Sequence, residues 1–235
     1  MSKIVLNNIP NLNEHELGRG AYGRCFLAKD NTVLKLFYTN ERDIYQNIER
    51  MSHLESPNFA FPKDLVYLKE ISDSGFIGYY MDFIEGDHFD VLDGSINLDT
   101  FLTSLCKLES EIRRLTFDYG LKIFDIAYDN SFYSSDDDIK IIDTDLYTFS
   151  DLPYNQLLSH NFSEVSDLIS EYFIRANERR FKSDRLKDYL YDFYDGLINP
   201  SAYLYEVIEE IRRESSEEIK DYNSFKNNIK LIMKR

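Results

Sequence analysis

A chain of 235 residues, 43% hydrophobic and 29% charged, has a globular composition and the length for one or two domains. Its net charge of -15 argues against a general nucleic-acid binder, whose affinity rests on neutralising phosphates, and against docking on anionic membranes. Its two cysteines, Cys25 and Cys106, stand far apart. They make neither a zinc-ligand pair nor a disulfide framework, and they point to a reducing compartment.

No run approaches the roughly 18 apolar residues of a membrane span. The opening "MSKIVLNNIP" carries no secretory apolar core. A cytoplasmic protein is therefore expected; one delivered into a host cell would read the same.

Residues 1–40 read as strands. "CFLA" and "TVLKLF" are short apolar runs joined by "KDN", in which Asp30 and Asn31 tolerate the left-handed conformation of a tight turn. Ile44, Tyr45, Ile48 and Met51 then recur at helical spacing, with Asn40 as the expected N-cap and Pro57 and Pro62 as stops. "LVYLKEI" and "GFIGYYMDFI" read as two further strands around the turn "SDSG".

After the connector "EGD" the pattern becomes helical. Leu98, Phe101, Leu102, Leu105, Leu108, Ile112 and Leu115 form one stripe that starts near Asn97 and stops at Gly120. "LKIFDIAYDNSFY" and "IKIIDTDLY" read as short β-like runs around "SSDDD". From about Glu164 the chain reads as mostly helical, with a break at Asn199-Pro200. The order is that of an α+β protein with a small β-rich N-terminal part, 1–84, and a mainly helical part, 85–235.

Three features carry chemistry. The first is "LGRGAYGRCF", with Gly18, Gly20 and Gly23 between two strands. A glycine loop placed there has no helix N-terminus to offer a phosphate, but its amides can lie over one because no Cβ intervenes. An ordinary loose hairpin would read the same. The second is Lys35 inside an apolar strand, which suits a solvent-facing edge, a snorkelling stem or a pairing with phosphate or carboxylate. The third is Asp125 with Asn130 five residues on and Asp143 thirteen further. Carboxylate and amide oxygens suit Mg²⁺ bound together with phosphates. In a chain with 42 acidic residues the competing explanation is a solvated acidic surface, which "SSDDD" fits.

In this order the landmarks of residues 12–150 resemble the eukaryotic-like protein kinase family. The resemblance implies a bilobal fold with a small β-rich N-lobe and a mainly helical, shortened C-lobe. It makes "LGRGAYGRCF" the glycine-rich loop, with Cys25 above the adenine, and Lys35 the phosphate-binding lysine. "YYMDFIEGD" becomes the strand leading to the hinge, with Met81 as gatekeeper and Asp82, Phe83 and Ile84 as the backbone that meets adenine. Asp125 becomes the catalytic base or aligner, and Asn130 and Asp143 become magnesium ligands.

Glu49 is the helix glutamate expected to pair with Lys35. Glu41 stands too close to it, and Glu55 is the fallback. ATP and Mg²⁺ are the implied cofactors, with Mn²⁺ as an alternative metal. The implied acceptor is a protein serine or threonine, or else a basic small molecule of the kind taken by aminoglycoside and choline phosphotransferases. A pseudokinase scaffold is the third alternative.

The departures are specific. Ile123-Phe124 stands where the family has His-Arg, so there is no arginine to meet a phosphorylated activation loop. Ala127 replaces the usual lysine. Thr144-Asp145 replaces Phe-Gly, which puts an extra carboxylate near the metals, and there is no Ala-Pro-Glu. A basic patch of Arg175, Arg179, Arg180, Lys182, Arg185 and Lys187 is read chiefly as a solvated helix face, and secondarily as a dock for an acidic segment. His15, His53, His88 and His160 are given no role. Neither a nucleic-acid nor a membrane partner is expected, and the oligomeric state is left open.

Overall fold

The computed structural model describes all residues except 10, 11, 13, 14, 40, 41, 92, 93, 128, 175–180 and 235, and the side chains of 42, 43 and 90. The expected N-cap Asn40, the rejected Glu41, and Arg175, Arg179 and Arg180 of the basic patch lie outside the described residues. The protein is a mixed α+β chain with a multi-stranded N-terminal sheet followed by helices. It divides into two compact units, Met1–Glu85 with Ile142–Tyr147, and Gly86–Ile141 with Thr148–Arg235.

The first unit is built on six strands: β1 (Lys3–Leu6), β2 (Glu16–Arg19), β3 (Gly23–Leu27), β4 (Thr32–Phe37), β5 (Asp64–Leu68) and β6 (Phe76–Asp82). Their order across the sheet is β1-β5-β6-β4-β3-β2, antiparallel except where β1 runs parallel to β5. Asp30 and Asn31 take positive φ in the β3–β4 turn, as their short polar side chains permit. Helix α1 (Arg42–Met51) buries Tyr45, Ile48 and Met51. The Tyr45 ring packs on Phe76 and Tyr67 of the sheet, at centroid distances of 4.9 and 6.4 Å.

Ile142–Tyr147 joins this unit, although it follows the boundary near residue 85 read from the sequence. Two carboxylates in this segment are taken up by side chains of the sheet.

In the second unit β7 (Gly86–His88) pairs with β9 (Ser131–Ser134), which pairs with β10 (Ile139–Ile141). Helix α2 (Leu98–Tyr119) lies between β7 and β9 in the chain. Its N-cap is Asn97, whose side chain accepts from the Asp99 and Thr100 amides, and Gly120 ends it in the left-handed conformation at φ 63°. The stripe Leu98, Phe101, Leu105, Leu108, Ile112 and Leu115 is fully buried; Leu102 is only partly so.

Two-residue strands β8 (Leu121–Lys122) and β11 (Thr148–Phe149) pair, and between β8 and β9 the chain is a loop containing Asp125 and Asn130. Helices α3 (Tyr154–Ile169), α4 (Asp184–Tyr194), α5 (Pro200–Glu214) and α6 (Tyr222–Asn228) complete the unit. Helix α3 begins about ten residues before the start read from the sequence, because Leu157, Leu158 and Phe162 already belong to its buried face. No helix among the described residues is long and apolar enough to cross a membrane.

One cap comes from another helix. Asn199 precedes α5 but spends its side chain on Arg113, 2.5 Å away. The carboxylate of Glu109 on α2 accepts instead from the Ser201 amide at 2.6 Å and its hydroxyl at 2.8 Å. Burial pushes the Glu109 carboxyl above its ordinary range, against the pull of Ser201 and Arg113.

Candidate functional site

In the first unit, pairing of β3, β4 and β6 sets Cys25 opposite Lys35, and Lys35 opposite Tyr79. Directly paired residues share a sheet face, so these three side chains stand in one row. Strand β4 is central in the sheet, and Lys35 is only 4% exposed. The solvent-facing edge considered for Lys35 is therefore not where it lies.

A buried ammonium without partners costs several kcal/mol (order of magnitude). Lys35 Nζ is instead gripped by the carboxylates of Asp143 and Asp145. The Tyr79 hydroxyl donates to the other Asp145 oxygen. Asp145 is fully buried at its side chain, while that of Asp143 is 35% exposed.

The electrostatics follow from this packing. Burial works to lower the Lys35 pKa, but Asp145 and then Asp143 outweigh it, and the net shift is upward. Burial raises the Asp145 carboxyl against the pull of Lys35. Burial, with the nearby carboxylates, pushes the Cys25 thiol up to about 11, and Lys35 opposes the shift. The Tyr79 hydroxyl is raised well above its usual value, first by burial and then by the neighbouring carboxylates.

The glycines divide into two kinds. A Cβ on Gly23 would stand 2.3 Å from the Leu36 carbonyl oxygen of the paired strand, so the sheet itself demands glycine there. Around Gly18 and Gly20 nothing lies within 4 Å, and neither has positive φ. The fold makes no demand for glycine at those two positions. Gly18 lies in β2 opposite Cys25, and Gly20 opens the β2–β3 turn, which is closed by its amide donating to the Gly23 carbonyl at 2.9 Å.

Other expected positions are placed as follows. Glu49 is not with Lys35: its carboxylate accepts from Lys3 of β1 at 2.7 Å, because α1 presents that position to the sheet edge. Glu55 lies beyond α1 and is exposed. Met81 is buried on β6 opposite Val33. Asp82 is exposed and pairs with Lys63 at 2.6 Å. The Phe83 amide is spent on the Asn31 carbonyl at 3.0 Å, and Ile84 is half-buried.

In the second unit Asn130 Nδ2 donates to the Asp125 carbonyl and to Asp125 Oδ2, both at 3.1 Å. This brings together two of the residues expected to act in concert. Three side chains of α3 hold the chain leading to them. Asn161, fully buried, accepts from the Ile123 amide at 2.9 Å and donates to the Leu121 carbonyl and the Thr116 hydroxyl at 2.9 Å each. His160 Nε2 donates to the Ile123 carbonyl at 2.9 Å, and Glu164 accepts from the Asp125 amide at 2.7 Å.

Asp125 and Asp143 both take positive φ, at 59° and 57°, outside any hairpin turn. Such conformations cluster at functional positions.

Reasoning from the sequence missed Tyr79, His160, Asn161 and Glu164. The spacing of His160, Asn161 and Glu164 marks one helix face, which was the available signal. The pairing of Tyr79 with Lys35 depends on sheet register and left no mark in the sequence. Of the basic patch, the described members bond within the second unit: Lys182 to the Leu231 carbonyl, Arg185 to Glu206 and Lys187 to Asp184.

Among the described residues no group of three or more His, Cys, Asp or Glu side chains is placed to hold a metal by itself. No protein-family model and no curated protein matches the chain.

Proposed function

We propose that the protein is a phosphotransferase of protein-kinase-like, bilobal construction that moves the γ-phosphoryl of Mg·ATP to a hydroxyl, with a protein serine or threonine as acceptor. The observation that carries this reading is the contact of Lys35 with Asp143, 108 residues apart in sequence. The resemblance assigns one to the phosphates and the other to the metal bound on them, and chemistry at one phosphate group requires the two to be neighbours. The absence of any fold requirement for glycine at Gly18 and Gly20 supports it independently, since bare backbone there suits a phosphate.

The oxygen donors of Asp143 in the first unit and of Asn130 in the second are, each taken by itself, of the kind magnesium takes. Kinase-type sites use few protein oxygens and complete the shell with phosphate and water, so a three-ligand cage is not needed. Asp143 keeps a partly exposed carboxylate, and Asn130 turns its NH₂ toward Asp125, which leaves its amide oxygen for a cation. The metal would neutralise charge developing on the phosphates. In this reading Lys35 and the Gly18–Gly23 turn hold the nucleotide. Asp125 orients the acceptor hydroxyl and takes its proton, while Glu164 and Asn161 fix the backbone that carries it.

The net charge of -15 favours a second reading, a kinase for basic small molecules. Intact mass after incubation with Mg·ATP separates the outcomes. Phosphate added to the wild type but not to Asp143→Ala or Asp125→Ala is the expected result. Phosphate added equally to all three overturns the assigned roles. No addition, with Mg·ATP bound, moves the acceptor to small molecules; no binding at all defeats the reading.

A further inference from the structure

We propose that Asp145, assisted by Tyr79, is the positioning partner of Lys35, in the place the resemblance gives to a glutamate of α1. The setting of the lysine then belongs to the sheet and the 142–147 segment. This deepens the phosphotransferase reading and rests on it for its consequence in catalysis.

Three observations carry the inference. Asp145 is the more buried of the two carboxylates on Lys35, and its second oxygen accepts from Tyr79. The β4–β6 register places Tyr79 directly beside Lys35, so lysine, tyrosine and carboxylate form one closed set on a central part of the sheet. Glu49, the residue of α1 expected to do this work, is committed to Lys3.

The two carboxylates can then divide the work. One ammonium faces two negative charges, so yielding the partly exposed Asp143 to another cation still leaves Lys35 neutralised by Asp145. A lysine paired to a mobile helix can be switched by moving that helix. A lysine paired to a residue two positions from Asp143 is set whenever that segment is in place. We therefore expect phosphate binding through Lys35 to be insensitive to the charge at Glu49.

The test uses the full chain in two measurements. The first is the side-chain ammonium NMR signal of ¹⁵N-labelled protein, assigned to Lys35 by its loss in Lys35→Arg. A buried ammonium held between two carboxylates exchanges slowly enough to be seen. The signal is expected in the wild type and in Glu49→Gln, weakened in Tyr79→Phe, and weakened further in Asp145→Asn, where Asp143 alone still holds the ammonium. The second is Mg·ATP affinity by calorimetry, expected to fall about tenfold or more in Asp145→Asn and to stay within about twofold in Glu49→Gln.

A signal unchanged in Asp145→Asn, or lost in Glu49→Gln, overturns the proposal. Should Asp145→Asn fail to fold, Tyr79→Phe carries the test, and an unchanged exchange rate in it overturns the proposal. Wild-type protein that shows the expected signal pattern but binds no Mg·ATP supports the pairing and defeats the phosphotransferase reading alone.

Discussion

Alanine placed in turn at Gly18, Gly20 and Gly23 separates what the fold needs from what a ligand needs. At Gly23 the new Cβ would meet the Leu36 carbonyl oxygen at 2.3 Å, its carbon at 3.1 Å and Phe37 Cα at 3.3 Å. All three are backbone atoms of the paired strand, so neither a rotamer change nor a side-chain shift relieves the clash. Overpacking of this kind costs about 1–3 kcal/mol. The lost chain entropy of glycine returns about 0.4–1 kcal/mol.

At Gly18 and Gly20 there is no clash and no positive φ to oppose the gain, so stability should rise by about 0.4–1 kcal/mol in each. The entropy gain is common to all three and cancels, so Gly23→Ala should be less stable than the other two by about 1–3 kcal/mol. The chain has no tryptophan, so urea unfolding followed by far-UV circular dichroism is the appropriate assay. Calorimetry on the same three proteins should show weakened Mg·ATP binding in Gly18→Ala and Gly20→Ala despite their added stability. Loss of stability in those two equal to that in Gly23→Ala would refute the structural reasoning. Unchanged nucleotide affinity in both would refute the functional part.

Four further predictions follow from single side chains. Asn161→Ala leaves the buried Ile123 amide and Leu121 carbonyl without partners, and should cost about 3–5 kcal/mol in urea unfolding; a loss below about 1 kcal/mol would show that water replaces the amide. Lys35→Met strands a buried carboxylate at Asp145 and should also cost about 3–5 kcal/mol. The double variant with Asp145→Asn should recover part of this, and a fully additive double variant would show no coupling.

Glu109 has a folded pKa above its unfolded value, so the native state holds the extra proton between those two values. Its contribution to stability therefore falls as pH rises through that window, and Glu109→Gln should compare more favourably with wild type near pH 7 than near pH 4; the opposite slope refutes the assignment. Cys25, at about 11, is thiolate in roughly one molecule in a thousand near pH 8, so alkylation should modify the exposed Cys106 first. Equal labelling rates would contradict this.

The local elements were largely legible because their causes are local. The stripe from Leu98 to Leu115 with Asn97 before it and Gly120 after it specifies α2, including both caps. Short apolar runs and the Asp30-Asn31 turn specify β3 and β4. The start of α3 was misjudged because Pro153 caps it with no side-chain hydrogen bond, so the usual start signal is missing.

The candidate site was legible to the extent that its members are strung at informative spacings: Lys35, Asp125, Asn130 and Asp143 can be picked out one by one. Their partners cannot. A strand lysine reveals its burial only when the sheet order makes β4 central, and it reveals Tyr79 only when β4 and β6 fix their register.

The choice of Asp145 over Glu49 was likewise a tertiary decision. Spacing along the chain points to Glu49 on the following helix and says nothing of Asp145, which lies far downstream. Desolvation makes the difference: an ammonium buried in the middle of a sheet needs a counter-ion that is buried with it. Asp145 sits in that interior, while Glu49 is held at the sheet edge by Lys3. The residues themselves determined the elements, the acidity and the cluster of candidate groups. Which charge neutralises which was settled only by packing, because the cost of an unpaired charge depends on how far folding removes it from water.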